Sequence, residues 1–235
     1  MARKTEKSNK SAARTVITFL LDKSGSMASI LDDTIGGYNT YVSKLRETEE
    51  EGMETYFSLV AFDSHSVDKM CVGVPLSEAT VLTRQNYVPG SSTPLIDAAM
   101  KAIKATDQIV EQKLASKVIV VIQTDGHENA STEFKNSDLR KEIEIRQGRG
   151  WEFVFMGAGI DAYGMASQMG ISTERTVSYG MGNSAQVFAA TAQNAASFRS
   201  GLSATMSYSS HQKSASGDAF DPKAAKPVNW SLAGK

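Results

Sequence analysis

Two patterns of apolar residues alternate along the chain. Residues 15–21 and 117–123 form almost continuous apolar runs that end at polar turns, as is typical of strands buried on both faces of a sheet. Shorter predicted strands cover residues 55–62, 67–74, 152–156 and 176–179. Elsewhere apolar residues recur at spacings of three and four, as on the buried face of a helix. The predicted helices cover residues 30–45, 94–114, 138–147 and 185–202.

Strands that alternate with helices predict a mostly parallel sheet covered by helices on both faces. The strands at 55–62 and 67–74 are the exception. Their connection, residues 63–66, is too short for a crossover, so these two strands should form an antiparallel hairpin at one edge. The sequence therefore predicts a doubly wound, Rossmann-like α/β fold with a six-stranded, mostly parallel sheet and one antiparallel edge strand.

The composition is that of an ordinary globular protein. The chain has 235 residues, of which 41% are apolar and 22% charged, and its formal net charge is -1. These values exclude wholesale disorder, and the near-zero charge provides no general attraction for nucleic acid. We expect one large domain over residues 15–203, a flexible basic tail over residues 1–14 and a polar carboxyl-terminal tail over residues 204–235.

Three features bear on location. The longest apolar stretches are far shorter than the roughly 20 residues of a membrane-spanning helix, so we expect no membrane association. The basic residues 1–14 are followed by no apolar stretch beyond the strand-like run of residues 15–21, so they do not match a secretory signal. A single cysteine, Cys71, is typical of a reducing compartment. Together these features predict a cytoplasmic protein.

Three polar loops carry the candidate chemistry. Residues 22–26 and 125–129 follow the two buried strands, and residues 90–94 lead into a predicted helix. Ligands of doubly wound sheets gather beyond the carboxyl ends of the strands, where we expect these loops to meet. Their carboxylates and hydroxyls suit Mg²⁺, whereas zinc prefers His and Cys. The candidate metal ligands are Asp22, Ser24, Ser26, Thr93 and Asp125.

These loops resemble the metal-ion-dependent adhesion site of von Willebrand factor type A domains. The matching segments are residues 22–27, 92–95 and 124–126, and all five motif positions occur in the family's order. The resemblance covers residues 15–202 and is greatest to intracellular bacterial and phage members, including those related to tellurium-resistance proteins. It implies a sheet with the strand order 3-2-1-4-5-6.

The resemblance also implies how the ligands act. Ser24, Ser26 and Thr93 would bind the metal directly, and Asp22 and Asp125 would bind it directly or through water. A bound Mg²⁺, with Mn²⁺ or Ca²⁺ as alternatives, would take up an Asp or Glu carboxylate of a partner protein. The chain would then be a non-enzymatic interaction module. The residues expected at the rim, where they would set partner choice, are Lys23, Met27, Ser92, His127 and Glu128.

Two other functions remain open. A Mg²⁺-dependent hydrolase of phosphate esters needs a positioned base, for which His127 and Glu128 are the candidates. The second alternative is a structural component of a phage or of another complex, in which the metal site is present but not used. A dinucleotide-binding loop at residues 157–162 is disfavoured, because residues 178–180 lack the acidic side chain that binds the ribose. We expect a tight glycine turn there instead.

Overall fold

The computed structural model describes residues 13–180 and 182–218. Within these residues, six strands form one sheet with the order β3-β2-β1-β4-β5-β6. The strands are β1 Ala13–Asp22, β2 Met53–Phe62, β3 Val67–Pro75, β4 Lys117–Thr124, β5 Glu152–Ala158 and β6 Thr176–Tyr179. Neighbouring strands are parallel except β2 and β3, which form the antiparallel edge. The predicted fold class is therefore confirmed.

Helices cover both faces of the sheet. They are α1 Leu31–Glu47, α2 Leu95–Lys113, α3 Asn136–Gln147, α4 Ala162–Gln168, α5 Ser184–Ser200 and α6 Ser210–Ala215. The four longest of these match the predicted helices, whereas the short helices α4 and α6 were not predicted. Across the described parts of the chain, no helix has both the length and the apolar character required to cross a bilayer.

The two core layers explain why the runs in β1 and β4 are continuously apolar. Successive side chains of a strand point to opposite faces of the sheet. Phe19 of β1 and Val121 of β4 belong to the core beneath α1 and α5. Their neighbours Leu20 and Val120 belong to the core beneath α2, α3 and α4. Both faces of the central strands are therefore buried, and the polar side chains within them, such as Thr18 and Gln123, are hydrogen-bonded to Thr106 and Tyr179.

The packed part of the chain extends beyond the predicted boundary at residue 203. Met206 and Tyr208 are buried, and the Tyr208 hydroxyl lies 2.6 Å from Thr191 Oγ1. Farther along, Asp218 Oδ2 accepts a hydrogen bond from the backbone N–H of Ser178 in edge strand β6, at 3.1 Å. Burial of two apolar side chains thus holds this mostly polar segment on the domain. The rest of the predicted tails, residues 1–12 and 219–235, lies outside the described residues.

Close packing of α5 on α1 depends on Gly37. A Cβ atom at Gly37 would lie 2.5 Å from Cδ2 of Phe188, which is well inside van der Waals contact. The Phe188 ring in turn stacks on Phe19 of β1, with ring centroids 6.0 Å apart and an interplanar angle of 12°. The glycine therefore lets a buried aromatic side chain of α5 reach the central strand.

We expect Gly37→Ala to destabilise the protein by about 1–3 kcal/mol, because the new methyl group overpacks the core against Phe188. Gly36→Ala is the matched control on the same helix, since a Cβ atom there meets nothing within 4 Å. It should be stabilising by up to about 1 kcal/mol through helix propensity. Urea unfolding measures the free energy of unfolding of both variants. Similar effects of the two substitutions would contradict the close contact of Gly37 with Phe188.

Candidate metal centre

The sheet brings the predicted ligands together. Asp22 ends β1, and Asp125 directly follows the neighbouring strand β4. The Ser26 hydroxyl donates a hydrogen bond to Asp125 Oδ1 at 2.6 Å, and Ser24 Oγ lies 3.2 Å from Ser26 Oγ. These contacts join the loop after β1 to the loop after β4, although Ser26 and Asp125 are 99 residues apart in sequence.

The space beside Gly126 is bordered by oxygens from separate segments. A Cβ atom at Gly126 would lie 3.1 Å from Thr93 Oγ1, 3.5 Å from Ser26 Oγ and 3.7 Å from Asp22 Oδ2. Three predicted ligands thus face one small volume that a side chain at position 126 would fill. Glycine keeps this volume open, so the geometry fits a small ion bound by oxygens.

The donor set favours a hard cation. Within the described residues, no group of three or more His, Cys, Asp and Glu side chains is placed to hold a metal ion. Any ion here would therefore depend on the two carboxylates and three hydroxyls that the sequence predicts. Such oxygens suit Mg²⁺, Mn²⁺ or Ca²⁺, and the set lacks the nitrogen or sulfur ligands that zinc prefers.

Asp22 is buried and held by two donors. Its Oδ1 accepts from the backbone N–H of Ser24 at 2.7 Å, and its Oδ2 accepts from the Thr124 hydroxyl at 2.6 Å. Burial raises the pKa of Asp22 despite these hydrogen bonds, and burial likewise raises the pKa of Asp125. The folded protein thus disfavours both negative charges, and a bound cation would relieve this cost.

The Tyr87 hydroxyl holds the backbone at Asp22, where β1 ends. It donates a hydrogen bond of 2.5 Å to the backbone carbonyl of Asp22. Burial, and then the negative charges of Asp22 and Asp125, raise the pKa of Tyr87 well above its ordinary value, so that this hydroxyl stays a neutral donor. Thr124 and Tyr87 were not predicted. Thr124 could have been found from its position next to Asp125, but no sequence signal connects Tyr87 to a carbonyl 65 residues away.

The loop that carries Thr93 is paired with the loop after β1. The backbone carbonyl of Ser91 accepts from the N–H of Gly25 at 2.9 Å, and the N–H of Gly90 donates to the carbonyl of Lys23 at 2.8 Å. Ser91 has a φ of 62°, a left-handed conformation that is uncommon for a residue with a side chain. This strained residue lies two positions before Thr93, in the turn that brings Thr93 beside the other candidate ligands.

The segment after Asp125 is fastened to the start of α2. Glu128 Oε2 accepts from the backbone N–H of Ile96 at 2.8 Å, and its Oε1 accepts from the N–H groups of Ala130 and Ser131. Asn129 exchanges two hydrogen bonds with Thr93, through its N–H to the Thr93 carbonyl at 3.1 Å and through its Oδ1 from the Thr93 N–H at 2.8 Å. The loops of Thr93 and Asp125 are thereby held as one unit.

Asp97 also attaches the segment after β4 to α2. Its carboxylate accepts hydrogen bonds of 2.8 to 3.2 Å from the backbone N–H groups of residues 132–134. Asp97 was not predicted, although an aspartate in the first turn of an otherwise apolar helix segment is visible in the sequence.

The predicted rim needs correction at three positions. The Met27 side chain is fully buried in the core beneath α1, so it cannot contact a partner. Lys23 is turned towards the β2–β3 hairpin, where its ammonium group lies 2.7 Å from Asp68 and 3.5 Å from Asp63. Glu128 is occupied by backbone donors. Two predicted rim residues, Ser92 and His127, are exposed on this face.

The glycines at residues 157–162 form a turn between β5 and α4. A Cβ atom at Gly157 would lie 2.5 Å from the Cβ of Ala162, and Gly159 has a φ of 66°. Helix α4 is only seven residues long. Close packing and the backbone conformation therefore account for both glycines.

No protein-family model matches the sequence, and no curated protein sequence matches it. Solved structures do match. Proximal thread matrix protein 1 from the mussel byssus has 15% identity and a TM-score of 0.57, over 79% of this chain and 47% of that chain. The von Willebrand factor domain of the type V pili tip protein Mfa5 from Porphyromonas gingivalis has 12% identity and a TM-score of 0.59, over 78% of this chain and 95% of that chain.

A third match is the manganese-loaded TRAP protein of Plasmodium vivax, with 15% identity and a TM-score of 0.54, over 74% of this chain and 71% of that chain. This chain spans about half of the length of the mussel protein. At such identities the likeness establishes the fold. The chain has the von Willebrand factor type A fold, an α/β fold with a mostly parallel sheet.

The stabilisation provided by Asp97 should depend on pH. Burial acts to raise the pKa of Asp97, but its three backbone donors outweigh burial and hold the pKa below the ordinary value of 3.8. Ionised Asp97 therefore stabilises the fold above that value, and this stabilisation is lost as the pH falls through the lower folded-state pKa.

Asp97→Asn tests this dependence. The variant should be less stable than the wild type by about 1–3 kcal/mol at pH 7, because an amide is a weaker acceptor for the three N–H groups. The difference should shrink as unfolding is measured at decreasing pH towards pH 3. A deficit that stays constant with pH would show that ionisation of Asp97 does not matter.

Proposed function

We propose that Asp22, Ser24, Ser26, Thr93 and Asp125 form a metal-ion-dependent adhesion site, and that the chain is a metal-dependent protein-interaction module. The convergence of hydroxyl and carboxylate oxygens on the space beside Gly126 carries this proposal. Mg²⁺ is the expected ion because of its abundance in cells, with Mn²⁺ or Ca²⁺ as alternatives. When bound, the cation offers a coordination position to an Asp or Glu carboxylate of a partner protein and attracts it by its positive charge.

The roles of the chain's own residues follow from their chemistry. Asp22 and Asp125 supply the negative charge that retains a divalent ion. The three other candidate ligands are neutral hydroxyls. A partner carboxylate would therefore be repelled less than by a site whose ligands were all carboxylates. Ser92 and His127, on the exposed face, would contact the partner beside its carboxylate.

The structural matches support this proposal in general terms. They include a pilus tip protein, whose domain has this fold, and a manganese-loaded protein. The family resemblance adds the carboxylate-bearing partner and the relation to tellurium-resistance proteins. A cytoplasmic location rests on the sequence alone, chiefly on the single Cys71.

A phosphate-ester hydrolase is less well supported, because one of its two candidate bases is engaged. Glu128 accepts four hydrogen bonds, three from backbone N–H groups and one from the Ser131 hydroxyl at 2.7 Å. Both carboxylate oxygens of Glu128 are therefore already occupied by donors of the protein itself. His127 is then the remaining candidate base.

Asp22→Asn should separate metal binding from folding. In chelator the variant should be at least as stable as the wild type, because it removes a charge whose pKa is raised by burial. With Mg²⁺ at 100 times its dissociation constant, the wild type should gain about 2.7 kcal/mol and the variant should gain none. Thermal unfolding with EDTA and with Mg²⁺ measures both. A wild-type protein that takes up none of the three ions in calorimetry would overturn the proposal.

Thr93→Val should abolish metal-dependent capture of partner proteins. The substitution keeps the side-chain shape and removes the hydroxyl that faces the site. Thr34→Val is the matched control, because the buried Thr34 hydroxyl has no hydrogen-bond partner among the described residues. We expect a lysate protein to be retained by the wild type and Thr34→Val in Mg²⁺, and to be lost with EDTA or Thr93→Val.

Two results of the capture experiment would contradict an interaction role. Partners retained equally by all variants and with EDTA would mean that the site is unused, as in a purely structural component. Turnover of phosphate esters that requires Mg²⁺ and is abolished by His127→Ala would favour the hydrolase.

A further inference from the structure

A groove with a volume of about 500 Å³ lies beside the candidate metal centre, between the start of α2, the start of α3 and helix α4. Its floor is apolar and consists of Ile96, Met165 and Met169, each at most 8% exposed. The polar residues that line it are His127, Glu128, Asn136, Asp161 and Gln168. These three side chains belong mostly to the core beneath α2, α3 and α4, and the parts left exposed line the groove.

The groove continues from the metal centre along one loop. His127 and Glu128 line it, and they follow the candidate ligand Asp125 by two and three residues. Three residues of extended chain span at most about 10 Å. A ligand segment held at the metal by a carboxylate would therefore place side chains two to four residues away over the groove.

The charged residues that line the groove are acids, like those of the candidate metal centre, but the groove has no proposed cation to balance them. Among the described residues, no Lys or Arg lines the groove, whereas Glu128 and Asp161 do. Both acids are fixed by backbone donors, Asp161 by the N–H of Gly164 at 2.9 Å. A second carboxylate of the ligand would thus find no positive partner here. An apolar side chain would instead meet a floor with two methionines, whose flexible side chains adapt to different shapes.

We propose that this groove receives a long apolar side chain, such as Leu, Met or Phe, from the same partner segment whose carboxylate binds at the metal. The two side chains would be separated by two to four residues in an extended segment. This inference rests on the proposed function and deepens it, because it adds an apolar residue to the recognised sequence. The volume of the groove exceeds that of one such side chain, so neighbouring backbone can enter as well.

The test uses short Gly/Ser peptides. Each peptide carries one Glu and one Leu, in either order, separated by two, three or four residues. Each is titrated into the full chain with Mg²⁺, beside matched peptides with Leu→Ser or Glu→Gln. The chain carries ¹³C-methyl methionine, and Met165→Leu and Met169→Leu assign the two groove resonances. For at least one separation, the Leu peptide should bind about tenfold more tightly than its Ser counterpart. It should also shift the Met165 and Met169 resonances, and EDTA should abolish the shift.

The outcomes distinguish the two levels of the proposal. If Leu and Ser peptides bind equally at every separation while Glu→Gln weakens binding, the groove inference is wrong and the metal-dependent function stands. If Glu and Gln peptides bind equally, or if binding persists in EDTA, the proposed function fails and the groove inference fails with it. If the chain takes up Mg²⁺ but no peptide binds at millimolar concentration, the groove inference is also wrong.

Discussion

Two carboxylates held side by side at the ends of neighbouring parallel strands are the constraint on which this structure depends. Asp22 and Asp125 come from β1 and β4, and burial raises the pKa of both. Hydrogen bonds from the Ser24 backbone, the Thr124 hydroxyl and the Ser26 hydroxyl offset part of this cost. The remaining cost is that of burying negative charge, which on the proposed function a divalent cation would offset.

The surrounding loops are arranged to keep these carboxylates in place. On one side, Gly25 and Lys23 pair with the loop that carries Thr93, at the expense of a strained backbone at Ser91. On the other side, Glu128 and Asp97 fasten the segment after β4 to the first turn of α2. Both acids hold backbone N–H groups, which keeps the loops of the candidate ligands in place. On the proposed function, the exposed face is then left to residues that a partner can reach.

Periodicity and the order of short motifs predicted the strands, the long helices and the grouping of the five candidate ligands, because each depends on local pattern and on where parallel strands end. The directions of neighbouring side chains were not predictable in this way. Met27 and Lys23 lie beside the ligands in sequence, yet one points into the core and the other towards Asp63 and Asp68. The short helix α6 escaped prediction because its six residues show no apolar spacing and none of them is buried, although Ser209 and Gln212 form a capping box at its start.

The distance in sequence between the joined loops has a consequence for synthesis. Ser26 and Asp125 meet although they are 99 positions apart in sequence, and Thr93 comes from a third segment between them. On the proposed function, a nascent chain that has not yet emerged past β4 cannot assemble the ion-binding oxygens, nor can a chain in which β1 and β4 have failed to pair. Partner engagement would thus be restricted to molecules in which β1 and β4 have paired, so that binding itself reports that the centre of the sheet has formed.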